Sequence, residues 1–493
     1  MSANKQQNCY GASIPQEVKF IITQLKKNSF ESYIVGGCVR DLLRGVDPED
    51  WDIATNAKPE EIGKVFLKSY SENKFGTVTV LTESDNPKLK EVEITSYRID
   101  EKYSDKRHPD KIKWARTIEE DLARRDFTIN AIAFDGEKNI IDPFLGQKDL
   151  KAKIIRAVGN PEDRFSEDAL RMMRAVRFAT ALDFKIEEKT KSAIKRNAVW
   201  LRAISKERIR DELLKIIMAE KAADGIELLR NLNLLKYIIP ELEEGYKISQ
   251  NKHHIYDCYE HSLLSFKYAA QKGFNKYVRI ASLFHDVAKP RVKNGEGLGA
   301  TFYGHEILGA RMTIQILNRL KFPKKEIEKI AKLVRYHLFY YNVGEVSESS
   351  VRRLVRQVGT ENMDELLQVR MADRIGSGVP KAEPYKLRHL KYLIEKVSQD
   401  PISVKMLKVS GNDIMKILKI SPGPKIGQIL DILLGYVLED PKKNKKEFLE
   451  KETLELGKPT DGKLQALAEK SRTKREKLEI KRDEMTKNKY WVT

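Results

Sequence analysis

The chain has 493 residues, enough for three or four domains at about 100–200 residues each. Hydrophobic residues make up 41%, ordinary for a soluble globular protein, and no apolar run is long enough to cross a bilayer. Lys plus Arg number 91 against 72 Asp plus Glu, a formal net charge of +19. That excess suits a polyanion such as nucleic acid, and equally a lysine-rich solvated surface. Cys9, Cys38 and Cys258 show no pairing pattern, which fits a reducing compartment. The opening MSANKQQNCYGAS lacks the apolar core of a secretion signal, so the expectation is a cytoplasmic protein.

In chain order, residues 16–30 read as an amphipathic helix with Val18, Ile21, Ile22 and Leu25 on one face. "SYIVGG" reads as a short buried strand ending in a glycine turn, and "VRDLLRG" opens a helix. "DWDIAT", "GTVTVLT" and "KEVEITSYRI" read as three further strands, and "RRDFTINAIAFD" mixes helix and strand signals. From about residue 151 the strand signals stop and helical periodicity takes over, as in "EDALRMMRAVRFATAL" and "KERIRDELLKIIM". Most of the histidines fall between about 250 and 380. The last thirty or so residues are charged and nearly free of apolar periodicity, a solvated helix or a flexible arm.

The first chemical constellation lies between Gly36 and Thr55. On a strand, Asp50 and Asp52 would project from one face. Two carboxylates that close raise one another's pKa unless a cation sits between them, and Mg²⁺ suits hard oxygen ligands and phosphates. Gly36 and Gly37 allow a close backbone approach to a triphosphate, and Arg40 adds a fixed cation. Glu93 on a later strand is either a third carboxylate or a plain sheet-face residue.

"YIVGGCVRD…DWDIAT" resembles the head of the class II tRNA nucleotidyltransferases and bacterial poly(A) polymerases, within the DNA polymerase beta-like superfamily. The likeness continues through "YSDKRHPD", "RRDFTINAIAFD", "EDALRMMRAVRFA" and "ERIRDEL", over roughly the first half of the chain. It implies an α+β fold: a nucleotidyltransferase head over 1–150, an all-helical neck over 151–245 and a helical tail over 386–460 that grips tRNA. A basic segment occupies 461–493. In the family, enzymes of this kind add C, C and A to tRNA 3′ ends from CTP and ATP with Mg²⁺. The positions matching the family's nucleotide site are Arg125, Asp126 and Asn130, near ribose and phosphates, and Asp168 and Arg171, which choose the base. Arg174 and Arg177 follow at the same spacing and suit phosphate or RNA.

Asp168 and Arg171 stand three apart, which on a helix makes them neighbours. Cytosine and adenine share an amino donor beside a ring-nitrogen acceptor. A carboxylate and a guanidinium match that edge, and guanine or uracil would leave them unpaired. An ordinary i,i+3 salt bridge is the competing reading. "FGTVTV" resembles the tRNA enzymes where bacterial poly(A) polymerases carry a glycine-arginine-arginine stretch, and "YSDKRHPD", with Lys106 where the family usually has glycine, resembles the loop that enzymes adding only CC typically lack. An A-adding enzyme working with a CC-adding partner stays open.

A second constellation comprises His261, His285, Asp286 and Asp373, with His305 and His337 nearby in apolar helices. Imidazole and carboxylate donors together suit a divalent transition metal or a metal pair. The pattern resembles the HD phosphohydrolase domain, placed at 246–385, with His305 and His337 as ligands of a second metal. A site that only stabilises the fold is the alternative. A further rival makes this hydrolase the main activity, with a head that only binds RNA or nucleotide.

Overall fold

The computed structural model describes residues 14–71, 76–101, 111–251, 255–398 and 404–492. The segment Tyr103–Asp110, including Lys106, and the first thirteen residues lie outside the described residues. The chain divides into two compact units. One comprises Met1–Leu338 with Glu365–Pro380, the other Phe339–Asp364 with Lys381–Thr493.

The first unit begins with the Gln16–Lys27 helix, whose buried Val18, Ile21, Ile22 and Leu25 follow helical spacing. It stops at Asn28, short of residue 30. The strands are β1 (Ser32–Val35), β2 (Asp52–Thr55), β3 (Ser69–Ser71), β4 (Thr77–Leu81), β5 (Glu91–Ser96), β6 (Arg98–Glu101), β7 (Lys111–Trp114), β8 (Ala133–Phe134) and β9 (Ile140–Ile141). Seven of them form one sheet in the order β3-β4-β5-β2-β1-β8-β9, and β6 pairs with β7 separately. Only β2 and β5 run parallel within the large sheet; the other neighbours are antiparallel. The first helix packs its apolar stripe with Ile34, Ile53, Val78, Val92 and Ile94 into one core.

Two sequence expectations give way here. "KEVEITSYRI" is not one strand: β5 ends at Ser96 and β6 starts in a different sheet. Strand structure also persists beyond residue 151, where β10 (Ile154–Ile155) pairs parallel with β11 (Lys185–Ile186). Two-residue strands are too short to show a period of two, so they are silent in sequence.

Helices follow. Leu170–Leu182 packs against Lys206–Met218 and Ala222–Asn231. Cys258–Gln271, Lys276–Phe284, His305–Arg319 and Lys324–Tyr336 continue the first unit. Arg279 ties this region to the preceding helices, donating to the carbonyls of Ile217 and Ala219, both at 3.0 Å.

The second unit is helical. Pro424–Glu439 crosses the 29-residue Asp461–Lys489 helix, and Leu433, Leu434, Leu464 and Ala468 share their core. Of the two readings left for the C-terminal segment, the structure takes the helix, anchored by few apolar residues and several ion pairs.

Candidate functional site

The head of the site is built where β1 runs into the Gly37–Leu43 helix. Gly36 joins them at φ 79°, ψ −133°, a conformation that suits glycine. A Cβ there would lie 2.8 Å from Arg125 Nη1 and 3.6 Å from Asp52 Oδ2. The missing side chain therefore lets the chain turn directly over the carboxylate.

Asp52 opens β2, and its parallel register sets it opposite Glu93 of β5. Asp50 does not share the strand. It sits on the bend before it, exposed, because β2 pairs only from Asp52 onward. Asp50 and Glu93 nonetheless both act on Asp52. Burial pushes its carboxyl up to about 6, Arg125 opposes that, and the two neighbouring acids reinforce it. Asp50 and Asp52 both line the cleft with hard oxygens, the donor type that suits Mg²⁺, and Glu93 stands beside Asp52 on the next strand.

Arg40 is not a loose cation. Its Nε and Nη2 hold Asp41 at 3.0 and 2.7 Å, and Nη1 reaches Asn130 Oδ1 at 2.9 Å. Asn130 donates to Asp126 Oδ1 at 3.2 Å, and Arg174 Nε holds Asp126 Oδ2 at 2.7 Å. Burial works against the Asp126 anion, but Arg174 and Arg171 outweigh it and hold the carboxyl down at about 2. Arg177 pairs with the buried Glu212 at 2.8 Å and stacks 4.0 Å from the Phe178 ring centroid.

Asp168 and Arg171 do not stand on one helical face. Asp168 is extended, at φ −140°, between Pro161–Glu167 and Leu170–Leu182. There it accepts from the Leu170 amide at 3.0 Å, as short acidic side chains do at helix starts. Its carboxylate is gripped by Arg208, with Nη1 3.2 Å from Oδ1 and Nη2 2.7 Å from Oδ2. Arg171 instead holds Glu167 at 2.5 Å and the Arg124 carbonyl at 2.9 Å.

Gly36, Gly37, Arg40, Asp50, Asp52, Arg125, Asp126, Asn130, Asp168, Arg171, Arg174 and Arg177 all line one open cleft of about 580 Å³. Arg124, Arg208, Lys215 and Phe178 join them. Eight basic side chains and four acidic ones line it, an excess that favours phosphates. Glu93 is not among the lining residues and reaches the group through Asp52. Arg208 went unremarked in sequence because it lies 40 residues beyond Asp168; the "ERIRDEL" run was its only signal.

A second site lies in the helices that follow. His261 Nε2 is 2.9 Å from His285 Nε2, 3.1 Å from Asp286 Oδ2 and 3.3 Å from Asp373 Oδ1. The other Asp286 oxygen faces His305 Nε2 at 3.4 Å and His337 Nε2 at 3.7 Å. All six predicted residues thus converge, in two groups of metal-ligand dimensions joined by Asp286. His285, His305 and His337 each turn Nδ1 to a backbone carbonyl, of Ser282, Phe302 and Val334, at 2.7–2.8 Å. A ring with its proton there presents Nε2 to a metal, while at His285 burial opposes the charged ring but the carboxylates of Asp286 and Asp373 outweigh it and hold the ring up at about 10. Burial and His285 push His337 down to about 3, which keeps it neutral. Lys289 Nζ lies 2.6 Å from Asp286, and Arg370 Nη1 2.8 Å from Asp373. Both line the open cleft of about 560 Å³ above the cluster. Among the described residues no helix is long and apolar enough to cross a membrane.

The chain is similar to known proteins over most of its length. Residues 32–156 match the family model "Poly A polymerase head domain", 183–245 "Probable RNA and SrmB- binding site of polymerase A", and 309–452 "tRNA nucleotidyltransferase domain 2 putative". A CCA-adding enzyme of Enterococcus faecalis is 33% identical over 453 residues, covering 89% of this chain and 96% of that one. One from Ligilactobacillus salivarius is 48% identical over 229 residues, 46% of this chain and 55% of the relative, so that match spans only about half its length. An A-adding tRNA nucleotidyltransferase of Deinococcus radiodurans is 32% identical, covering 81% and 90%. Among solved structures, the Bacillus stearothermophilus CCA-adding enzyme in complex with CTP matches with a TM-score of 0.56 at 28% identity, over 89% of this chain and 96% of that one. With a relative of this identity aligned over nearly its full length, the chain belongs to the tRNA nucleotidyltransferase family of CCA-adding enzymes and their A-adding kin.

Proposed function

We propose that the protein adds CCA to tRNA 3′ ends from CTP and ATP, without a nucleic-acid template. The observation that carries this is the placement of Asp52 in register with Glu93, beside Asp50 and beneath Gly36, at the floor of a cleft rich in arginine. Two Mg²⁺ ions held by Asp50 and Asp52, with Glu93 supporting, would acidify the RNA 3′-hydroxyl and offset charge on the departing pyrophosphate. Gly36 and Gly37 leave room for the triphosphate, and Arg125 stands over the carboxylates to meet its charge. Arg40, Asn130, Asp126 and Arg174 form a chain of hydrogen bonds that holds the far wall of the cleft rigid. Asp168, steadied by Arg208, would accept from the amino group and Arg171, released from Glu167, would donate to the ring nitrogen on the edge that cytosine and adenine share.

The relatives include both CCA-adding and A-adding enzymes, with the former predominating. Extension of tRNAs ending before CCA and after CC, with each nucleoside triphosphate separately, tests the reading. Full CCA addition is expected, and Asp52→Ala should lower it at least ~10³-fold, as loss of a group acting only in the transition state does. Extension of the second tRNA alone assigns A addition instead.

The His-Asp cluster favours a second activity, metal-dependent phosphoester hydrolysis. A divalent transition metal there would acidify a water for attack on phosphorus. Lys289 and Arg370, each on a ligand carboxylate and facing the cleft, would receive the phosphate oxygens. Hydrolysis of bis-p-nitrophenyl phosphate that survives Asp52→Ala and is lost in Asp286→Ala separates the two sites.

A further inference from the structure

The Asp461–Lys489 helix lies beyond residue 452, where the last matched family model stops. Lys463, Lys470, Lys474, Lys477 and Lys481 follow one another at intervals of seven, four, three and four residues. At 3.6 residues per turn these positions fall on one side of the helix. The row spans about 27 Å at 1.5 Å per residue. All five side chains are exposed. Only Lys474 has an ionic partner, Glu439; among the described residues the other four make no salt bridge.

The rest of the helix behaves differently. Arg472 and Arg475 hold Asp431 at 2.6 and 3.5 Å, Asp483 holds the Tyr392 hydroxyl at 2.5 Å, and Lys489 holds Glu395 at 2.6 Å. The packing side is thus neutralised within its own unit, and the lysine row is left as net positive charge. Lys474, Lys443 and Lys470 all act on Glu439 and hold its carboxyl below the usual range, so the row continues onto the Pro441–Lys443 turn.

We propose that this lysine row is a docking surface for the phosphate backbone of a structured RNA. The partner class rests on the reading above, that the enzyme acts on tRNA. Flexible point charges in a line, without a ring among them, suit the regular phosphates of a duplex rather than stacked single-stranded bases. Such contacts carry no sequence preference and position the substrate.

The test compares the full-length protein with a variant carrying Lys463→Gln, Lys470→Gln, Lys477→Gln and Lys481→Gln. Binding of a tRNA lacking its CCA end, and of a minihelix of its acceptor and T arms, is measured across a potassium chloride series. Each lost phosphate contact lowers the slope of log affinity against log salt by about 0.7–0.9. A fall of about 3 in slope, with at least ~10-fold weaker binding at low salt, is expected. An unpaired oligonucleotide of equal length should show less difference between the two proteins. Unchanged slope and affinity would overturn the proposal. So would unchanged RNA binding accompanied by a change in sedimentation, which assigns the row to a protein partner. The four side chains are exposed, so thermal unfolding should match wild type, and incorporation at saturating tRNA should keep its kcat. If wild-type protein binds tRNA with the predicted salt slope yet incorporates nothing, the catalytic reading fails and the docking surface stands.

Discussion

Arg208 clasps Asp168 with both terminal nitrogens, at 3.2 and 2.7 Å, from 40 residues further along the chain. An acid that is to read a base must be held still, and this fork does that. In Arg208→Ala the partly buried carboxylate loses its partner, at a cost of about 1–3 kcal/mol. Incorporation of CTP and ATP should then fall about 10–100-fold, while the low background with UTP and GTP changes little, so discrimination narrows. Single-nucleotide incorporation with each triphosphate measures this. An equal loss across all four would give Arg208 a structural role alone.

Gly36 should tolerate no side chain. Its positive φ strains any other residue, and a Cβ would press on the Arg125 guanidinium at 2.8 Å. Gly36→Ala is expected to cost about 1–3 kcal/mol and to lower incorporation at least ~10²-fold through displacement of Arg125 and Asp52. Thermal unfolding and initial rates, measured together, separate the two effects. Gly37 is the control: a Cβ there meets only ordinary contacts, the nearest 3.6 Å away, so Gly37→Ala should be milder.

How far the sequence spoke for this site depends on how local each signal was. Gly36, Asp52 and the apolar strands around them are contiguous features, and the structure places all of them in one sheet and cleft. The six histidine and aspartate positions were legible because such residues are scarce in apolar helices. The geometry of Asp168 was not: helical periodicity runs straight through it, and only the cap to Leu170 breaks the helix there. The partners of Arg40, Arg171 and Arg174 were invisible as well, since each bond depends on tertiary packing rather than spacing. The short strands from Ile154 and Lys185 carry too few residues to show any period.

Asp126 gives a pH dependence whose sign follows from its partners. Its carboxyl titrates at about 2 in the fold, against about 4 in an unfolded chain. A depressed carboxylate contributes stability above the unfolded value and loses it as pH falls through the folded one. The contribution is about 2 kcal/mol at neutral pH, fading between pH 4 and pH 2. Asp126→Asn should therefore be less stable than wild type at pH 7, and the gap should close in acid. Denaturant midpoints of the two proteins at pH 7, 4 and 3 check this; a gap independent of pH would assign the loss to packing against Arg174 instead.

Asp286 faces one histidine pair with each oxygen, His261 and His285 on one side and His305 and His337 on the other. Its removal should therefore affect both groups at once, whereas His305→Ala should empty only the second. Full-length protein purified without added metal is expected to keep divalent transition metal through gel filtration, by elemental mass spectrometry. Asp286→Ala should lose nearly all of it, and His305→Ala about half. Dipicolinate treatment should abolish hydrolysis of bis-p-nitrophenyl phosphate, and added metal should restore it. Nucleotide incorporation with fresh Mg²⁺ should survive every one of these changes, because the carboxylates that serve it sit on β2, β5 and the bend before β2. Metal-free wild-type protein that stays so after incubation with Zn²⁺, Mn²⁺, Co²⁺ or Ni²⁺ would reduce the cluster to a packed polar core. In that case Lys289, 2.6 Å from Asp286, would be the counter-ion that makes the burial tolerable.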